Sequence, residues 1–162
     1  LVQLANRRGA QVVAQSTPGK HAALQAQGAD VTLERTPPDL AAALMAATGR
    51  TTVDVVCDVV GGDDWPALID VMARGGRYAC SGAIAGPMVA LDLRTLYLRD
   101  LTFHGSTVVP PHIFNDLLGY IEKGEVKPLG AATYALSDLP AAQTAFMDKS
   151  HIGNIVVVPE DS

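Results

Sequence analysis

Short β-branched runs alternate with alanine- and leucine-rich stretches along nearly the whole chain, and that alternation confines it to α/β architectures. The runs are QVVAQS (11–16), VTL (31–33), VDVVCDVV (53–60), RYACS (77–81) and LTFHGS (101–106). The segments between them are of crossover length. A tight hairpin joins only antiparallel strands, whereas parallel neighbours need a crossover, usually a helix. The pattern therefore predicts βαβ units around a parallel sheet. Helices are expected over Leu1–Arg8, Thr17–Gln27, Asp39–Thr48, Trp65–Ala73, Arg94–Arg99, Pro111–Lys123 and Leu139–Ser150, with further strands at Leu129–Ala135 and Asn154–Val158. Gly9, Gly28 and Gly49 close three of the helices. Gly61-Gly62 ends the most apolar strand, Asp63-Asp64 offer caps for the next helix, and Gly75-Gly76 turns into the strand that follows.

Composition narrows the function. The 162 residues are 48% hydrophobic and only 18% charged, which suits strands buried on both faces. The formal net charge is −5 and no basic cluster interrupts it, so no nucleic-acid partner is expected. The longest apolar run falls far short of the roughly 18 residues of a membrane span, and no signal-peptide pattern is visible. Cys57 and Cys80 lie inside apolar runs and read as buried strand thiols, consistent with a reducing cytoplasm. No CxxC or HExxH spacing occurs and the four histidines show no ligand spacing, so no metal site is predicted in the chain. No Ser/His/Asp arrangement stands out either, and no catalytic residue is assigned.

Ligands of open parallel sheets bind beyond the carboxyl ends of the strands. The first strand ends at Ser16-Thr17, with Lys20 one turn later and no carboxylate at its end. A carboxylate there would accept hydrogen bonds from ribose hydroxyls. A serine and a lysine suit a 2′-phosphate instead, through a hydrogen bond and a point charge. The same two residues also read as a capping serine and a solvated lysine. Arg35, after the second strand, joins them if the two strands are neighbours. Val59-Val60-Gly61-Gly62, Ser81-Gly82-Ala83 and Ser106-Thr107 occupy the other strand ends. Asp58 lies near one of these ends and is read as a cap for the following helix.

LVQLANRRGAQVVAQSTPGKHAALQAQGADVTLE and VDVVCDVVGGDDWPALIDVMARGGRYACSGAIAG, with LRTLYLRDLTFHGST and the closing HIGNIVVVP, carry a further reading. In that order they resemble the medium-chain dehydrogenase/reductase superfamily (zinc-type alcohol dehydrogenase-like), in its quinone oxidoreductase or zeta-crystallin-like branch. The resemblance spans essentially the whole chain. It implies a Rossmann-type doubly wound parallel sheet that lacks its first strand and glycine-rich turn, because the chain opens within the helix that follows that turn. Residues 1–127 then form a truncated dinucleotide-binding domain, and residues 128–162 a segment that returns to the catalytic domain.

The function implied is hydride transfer between a nicotinamide cofactor, NADP ahead of NAD, and a small carbonyl, alcohol, enone or quinone. Ser16 and Lys20 match the pair that binds the 2′-phosphate, and Arg35 falls where many relatives carry a tyrosine on the same phosphate. Val60, Gly82, Ala83, Ser106 and Thr107 fall in segments that line the cofactor. Asn154 stands in place of the lysine of the closing motif. Zinc, if the parent uses it, is bound by an N-terminal domain outside this sequence, and such a fragment is expected to be inactive alone. The absent strand is the central one, between Gln11–Ser16 and Val53–Val60. The bared edges are expected to re-pair within the chain or with a second copy, giving a homodimer. A non-enzymatic nucleotide-sensing module on the same scaffold is the alternative. A flavodoxin-like or methyltransferase domain shares the alternation, but does not account for the ordered GAD, VDVVCDVVGG and GGRY motifs.

Overall fold

The computed structural model describes residues 1–148 and 150–159 and divides into two units, Leu1–Pro111 and the residues from His112 onward. In the first unit the order is α1 (Val2–Arg7), β1 (Val13–Ser16), a 3-10 turn (Pro18–Lys20), α2 (His21–Ala26), β2 (Val31–Glu34) and α3 (Leu40–Thr48). Then follow β3 (Val53–Asp58), a 3-10 turn (Gly62–Asp64), α4 (Trp65–Asp70), β4 (Met72–Cys80), α5 (Leu93–Leu98) and β5 (Thr102–Gly105). The expected α/β alternation is present, and every strand pairing is parallel.

Among the described residues β1 pairs only with β2, while β3, β4 and β5 form a separate sheet in that order. The break between β1 and β3 falls where the sequence places its absent strand. Among the described residues no ladder closes it, so of the two expected outcomes, re-pairing within the chain or pairing with a second copy, the first is not seen there. Apolar packing joins the two sheets instead. Leu33, Leu40, Leu44 and Val71 form a buried cluster that also takes in Val13 and Val31 from one sheet and Val53 from the other. Helix α3 spans the gap because Leu40 and Leu44, one turn apart, both point into it. Asp39 starts this helix by accepting from the Ala42 N–H at 2.9 Å, and Gly49 ends it at φ +74°.

The second core is aromatic. Trp65, Tyr78 and Phe103 meet edge to face or tilted, with centroids 5.2–6.1 Å apart, over Val56, Ile69 and Leu101. Met72, fully buried, belongs to the same cluster and alters the expected boundaries. Helix α4 stops at Asp70 rather than Ala73, and β4 begins at Met72 opposite Val53 rather than at Arg77. The ladder then shifts register until Val55 meets Arg77, so Gly75 (φ +72°) lies in an irregularity inside the strand. The Arg99 guanidinium holds this junction. It donates to the carbonyls of Ile69 at 3.1 Å and Asp70 at 3.3 Å, acceptors that a helix end leaves open, and to that of Met72 at the start of β4.

Two further expectations are corrected. Asp63 and Asp64 lie in the 3-10 turn, and Asp64, at the start of α4, makes no side-chain cap. Cys57 is exposed and Cys80 half-buried, both as free thiols, rather than buried. Cys57 lies on the face of β3 turned away from the aromatic core, beside Val55 and Val59, which are 55% and 48% exposed.

Helix α6 (Pro111–Glu122) begins at the last residue of the first unit, and the second unit holds the rest of it with β6 (Gly130–Ala135), a 3-10 turn (Leu136–Asp138), α7 (Leu139–Met147) and β7 (Asn154–Val158). Helix α7 crosses between the parallel strands β6 and β7, and it ends before the expected Ser150, with Lys149 outside the described residues. Gly153 (φ +99°) is required here, since a Cβ would approach the Leu129 carbonyl oxygen to 2.5 Å.

Arg99→Ala is expected to lower the unfolding free energy by about 1–3 kcal/mol, because it orphans the carbonyls at the α4–β4 junction. Urea denaturation checks this; an unchanged midpoint would show that water replaces the guanidinium at no cost.

Candidate functional site

Two edges carry the expected site residues. At the carboxyl end of the β1–β2 pair, Ser16 is buried and stands opposite Glu34 in the register. Its carbonyl accepts from the His21 Nε2–H at 3.1 Å, which ties the strand end to α2. The expected helix over Thr17–Gln27 resolves into a 3-10 turn followed by α2, and Lys20 closes that turn, its amide donating to the Thr17 carbonyl at 2.9 Å. Arg35 is exposed one residue past β2, its carbonyl accepting from the Gln15 side-chain amide at 3.3 Å. The parallel register thus brings Ser16, Lys20 and Arg35 to one edge. It also brings Glu34 there, a carboxylate whose charge opposes theirs for any anion.

The second edge is the carboxyl end of β3–β4–β5, and a buried carboxylate organises it. Asp58 is 4% exposed. It accepts from the Val60 N–H at 2.7 Å, from the Gly61 N–H at 3.2 Å to both oxygens, and from the Tyr78 hydroxyl at 2.7 Å. A buried carboxylate without donors is costly, and here each oxygen has them. Asp58 therefore caps the amides of the turn and not the helix that the sequence suggested.

That turn is joined to the loop after β4. Ala85 N–H donates to the Val60 carbonyl at 2.9 Å and Gly62 N–H to the Gly86 carbonyl at 3.0 Å. Gly61 and Gly62 have φ of +62° and +74°. A Cβ on Gly61 would lie 2.7 Å from the Gly86 carbonyl oxygen, and one on Gly62 would lie 2.9 Å from the Ala85 Cβ. The close approach that these glycines permit is to the neighbouring loop.

Val60 and Gly82 are half-buried at this edge, while Ala83, Ser106 and Thr107 are exposed. Gly82 packs on Val59, whose carbonyl oxygen a Cβ would approach to 3.0 Å, and Ser106 is fixed by its amide to the Cys80 carbonyl at 2.9 Å. Sequence reasoning missed Tyr78. It stands opposite Val56 in the register, on the inward face of β4 and one strand over from the buried Asp58, and no local sequence pattern marks it. Among the described residues no group of three or more His, Cys, Asp or Glu side chains is placed to hold a metal ion.

Burial, and then the hydrogen bond and charge of Asp58, push the Tyr78 hydroxyl well above the ordinary tyrosine value near 10. A folded-state value above the unfolded one stabilises the fold fully at lower pH. That stability is lost as the pH rises past about 10. Unfolding free energy is expected to fall with rising pH in that alkaline range, and Tyr78→Phe to flatten the fall. A Tyr78→Phe profile parallel to wild type would show that other groups set it.

Comparison with known proteins places this geometry in a family. The family model described as zinc-binding dehydrogenase matches residues 1–123. The quinone oxidoreductase of Pseudomonas aeruginosa is 25% identical over 97% of the chain and 51% of its own length. A crystal structure from Sinorhizobium meliloti 1021, provisionally named an alcohol dehydrogenase, superposes with a TM-score of 0.90 at 46% identity. It covers 98% of this chain and 44% of its own. A thermostable alcohol dehydrogenase from Pyrobaculum aerophilum, solved with cobalt and zinc bound, gives a TM-score of 0.79 at 30% identity, over 98% of this chain and 46% of its own. The chain spans about half the length of the first curated relatives it matches, 51% of one and 46% of the next. With its Rossmann-type α/β architecture, the chain belongs to the zinc-binding dehydrogenase family of the medium-chain dehydrogenase/reductase superfamily.

Proposed function

We propose that this chain is the cofactor-binding portion of an NADP-dependent oxidoreductase acting on a small carbonyl, alcohol, enone or quinone. The observation that carries the proposal is the β1–β2 edge. Buried Ser16, with Lys20 in the turn after it and Arg35 beyond the paired strand, offers a hydroxyl and two cations to a 2′-phosphate. Strand β1 itself ends without the carboxylate that suits a free ribose diol. Lys20 and Arg35 together outweigh the single charge of Glu34. Val60, Gly82, Ala83, Ser106 and Thr107 take the nicotinamide half along the second edge. A bound nicotinamide supplies the hydride; these residues bind and orient it.

Hydride transfer also needs an anchored pyrophosphate and a substrate held within reach, and the described residues present neither, so the chain alone is taken as inactive. The same reading assigns residues 1–127 to the dinucleotide-binding domain and residues 128–162 to a segment serving a catalytic domain. It makes the protein a cytoplasmic homodimer, and leaves any zinc to that catalytic domain.

Intact protein is expected to bind NADPH more tightly than NADH in a fluorescence titration. Lys20→Ala should shrink the preference by roughly 1.5–3 kcal/mol, about ten- to a hundredfold, and leave NADH affinity unchanged. Glu34→Gln should tighten NADPH up to about fivefold, as expected for removing one exposed opposing charge. Equal wild-type affinities for the two nucleotides would refute the 2′-phosphate site. Binding without turnover of any carbonyl or quinone would favour a nucleotide-sensing module.

A further inference from the structure

We infer that Asp58 is a positioning residue that locks the turn after β3 and the loop after β4 into one clasp, so that the two cofactor-facing segments hold or move together. The inference takes its functional meaning from the cofactor reading above. Its structural basis is separate.

The chain of contacts is continuous. Tyr78, anchored in the aromatic core, donates to one oxygen of Asp58, and the carboxylate fixes the Val60 and Gly61 amides. The fixed turn presents the Val60 carbonyl to Ala85 and the Gly62 amide to Gly86. Gly61 and Gly86 complete a parallel bridge between the two segments. The Asp58 carbonyl also accepts from the Ser81 amide at 3.0 Å, so the same residue holds the start of the second loop by its backbone. Ala83 and Gly82 ride on that loop and Val60 on the turn. All three were assigned to the cofactor's nicotinamide half.

The packing leaves the clasp little room. Side chains at Gly61 or Gly62 would collide with the backbone and Cβ of Ala85–Gly86. Interlocked parts of this kind tend to have discrete arrangements rather than a continuous range. Loss of the carboxylate is therefore expected to release both segments together.

Native-state hydrogen exchange on intact protein tests this without any ligand. Asp58→Asn is expected to speed exchange at Val60 and Gly61 about tenfold or more, as loss of charged acceptors implies, and to speed Gly62 and Ala85 in parallel. The β1–β2 ladder amides should keep their wild-type protection. Faster Val60 and Gly61 with unchanged Gly62 and Ala85 would overturn the clasp, as would equal acceleration across the whole chain. Tyr78→Phe, which keeps the ring, serves as a second variant should Asp58→Asn fail to fold, with the same pattern at smaller amplitude.

Nucleotide binding supplies a second readout. Asp58→Asn should weaken NADPH about tenfold and leave adenosine 2′,5′-bisphosphate, which carries only the adenosine end, at wild-type affinity. Equal weakening of both overturns the positioning role. Wild-type protein that binds neither nucleotide overturns the cofactor reading, and the exchange pattern then decides the clasp by itself.

Discussion

A carboxylate taken out of water must find donors, and in this protein the ones that satisfy Asp58 shape the edge of a sheet. Two backbone amides and one phenol surround it. The amides belong to a turn that no regular element holds, and the phenol belongs to the aromatic core. One side chain therefore carries the rigidity of Trp65, Tyr78 and Phe103 out to the carboxyl edge of β3–β4–β5. The glycines that follow make that transfer possible, because they let the adjacent loop close to hydrogen-bond distance. The aromatic packing, the buried acid and the paired glycines act as one arrangement.

Between the two sheets of the first unit, apolar burial stands in place of a ladder. No ladder connects β1 with β3 among the described residues, yet Leu40 and Leu44 from α3 cover strands of both sheets. Burying such side chains contributes roughly 1.5–3 kcal/mol each, but it is non-directional and fixes no strand register.

Much of this was legible in the sequence. Alternating β-branched and alanine-rich runs gave the α/β class, and the ordered motifs gave the family and the position of the break in the sheet. Ser16 and Arg35 were legible as neighbours because parallel register follows from the βαβ pattern. Other features depend on contacts distant in sequence. The β4 boundary is set by the burial of Met72 and by Arg99, which reaches back across the chain to Ile69. Cys57 looked buried because its run is apolar; its face of β3 is exposed. The role of Asp58 was hidden because its partner Tyr78 lies on a different strand, and no local pattern marks a tyrosine as a hydrogen-bond donor to a buried acid.

In the proposed reading one edge takes the adenosine phosphate and the other, fixed by Asp58, seats the nicotinamide. A crystal structure of the intact protein with NADPH tests both halves at once. The expected result is the 2′-phosphate against Ser16, Lys20 and Arg35, with the nicotinamide ribose over Val60 and the Gly82–Ala83 loop. A dinucleotide bound in the opposite sense, or away from these strand ends, would contradict it.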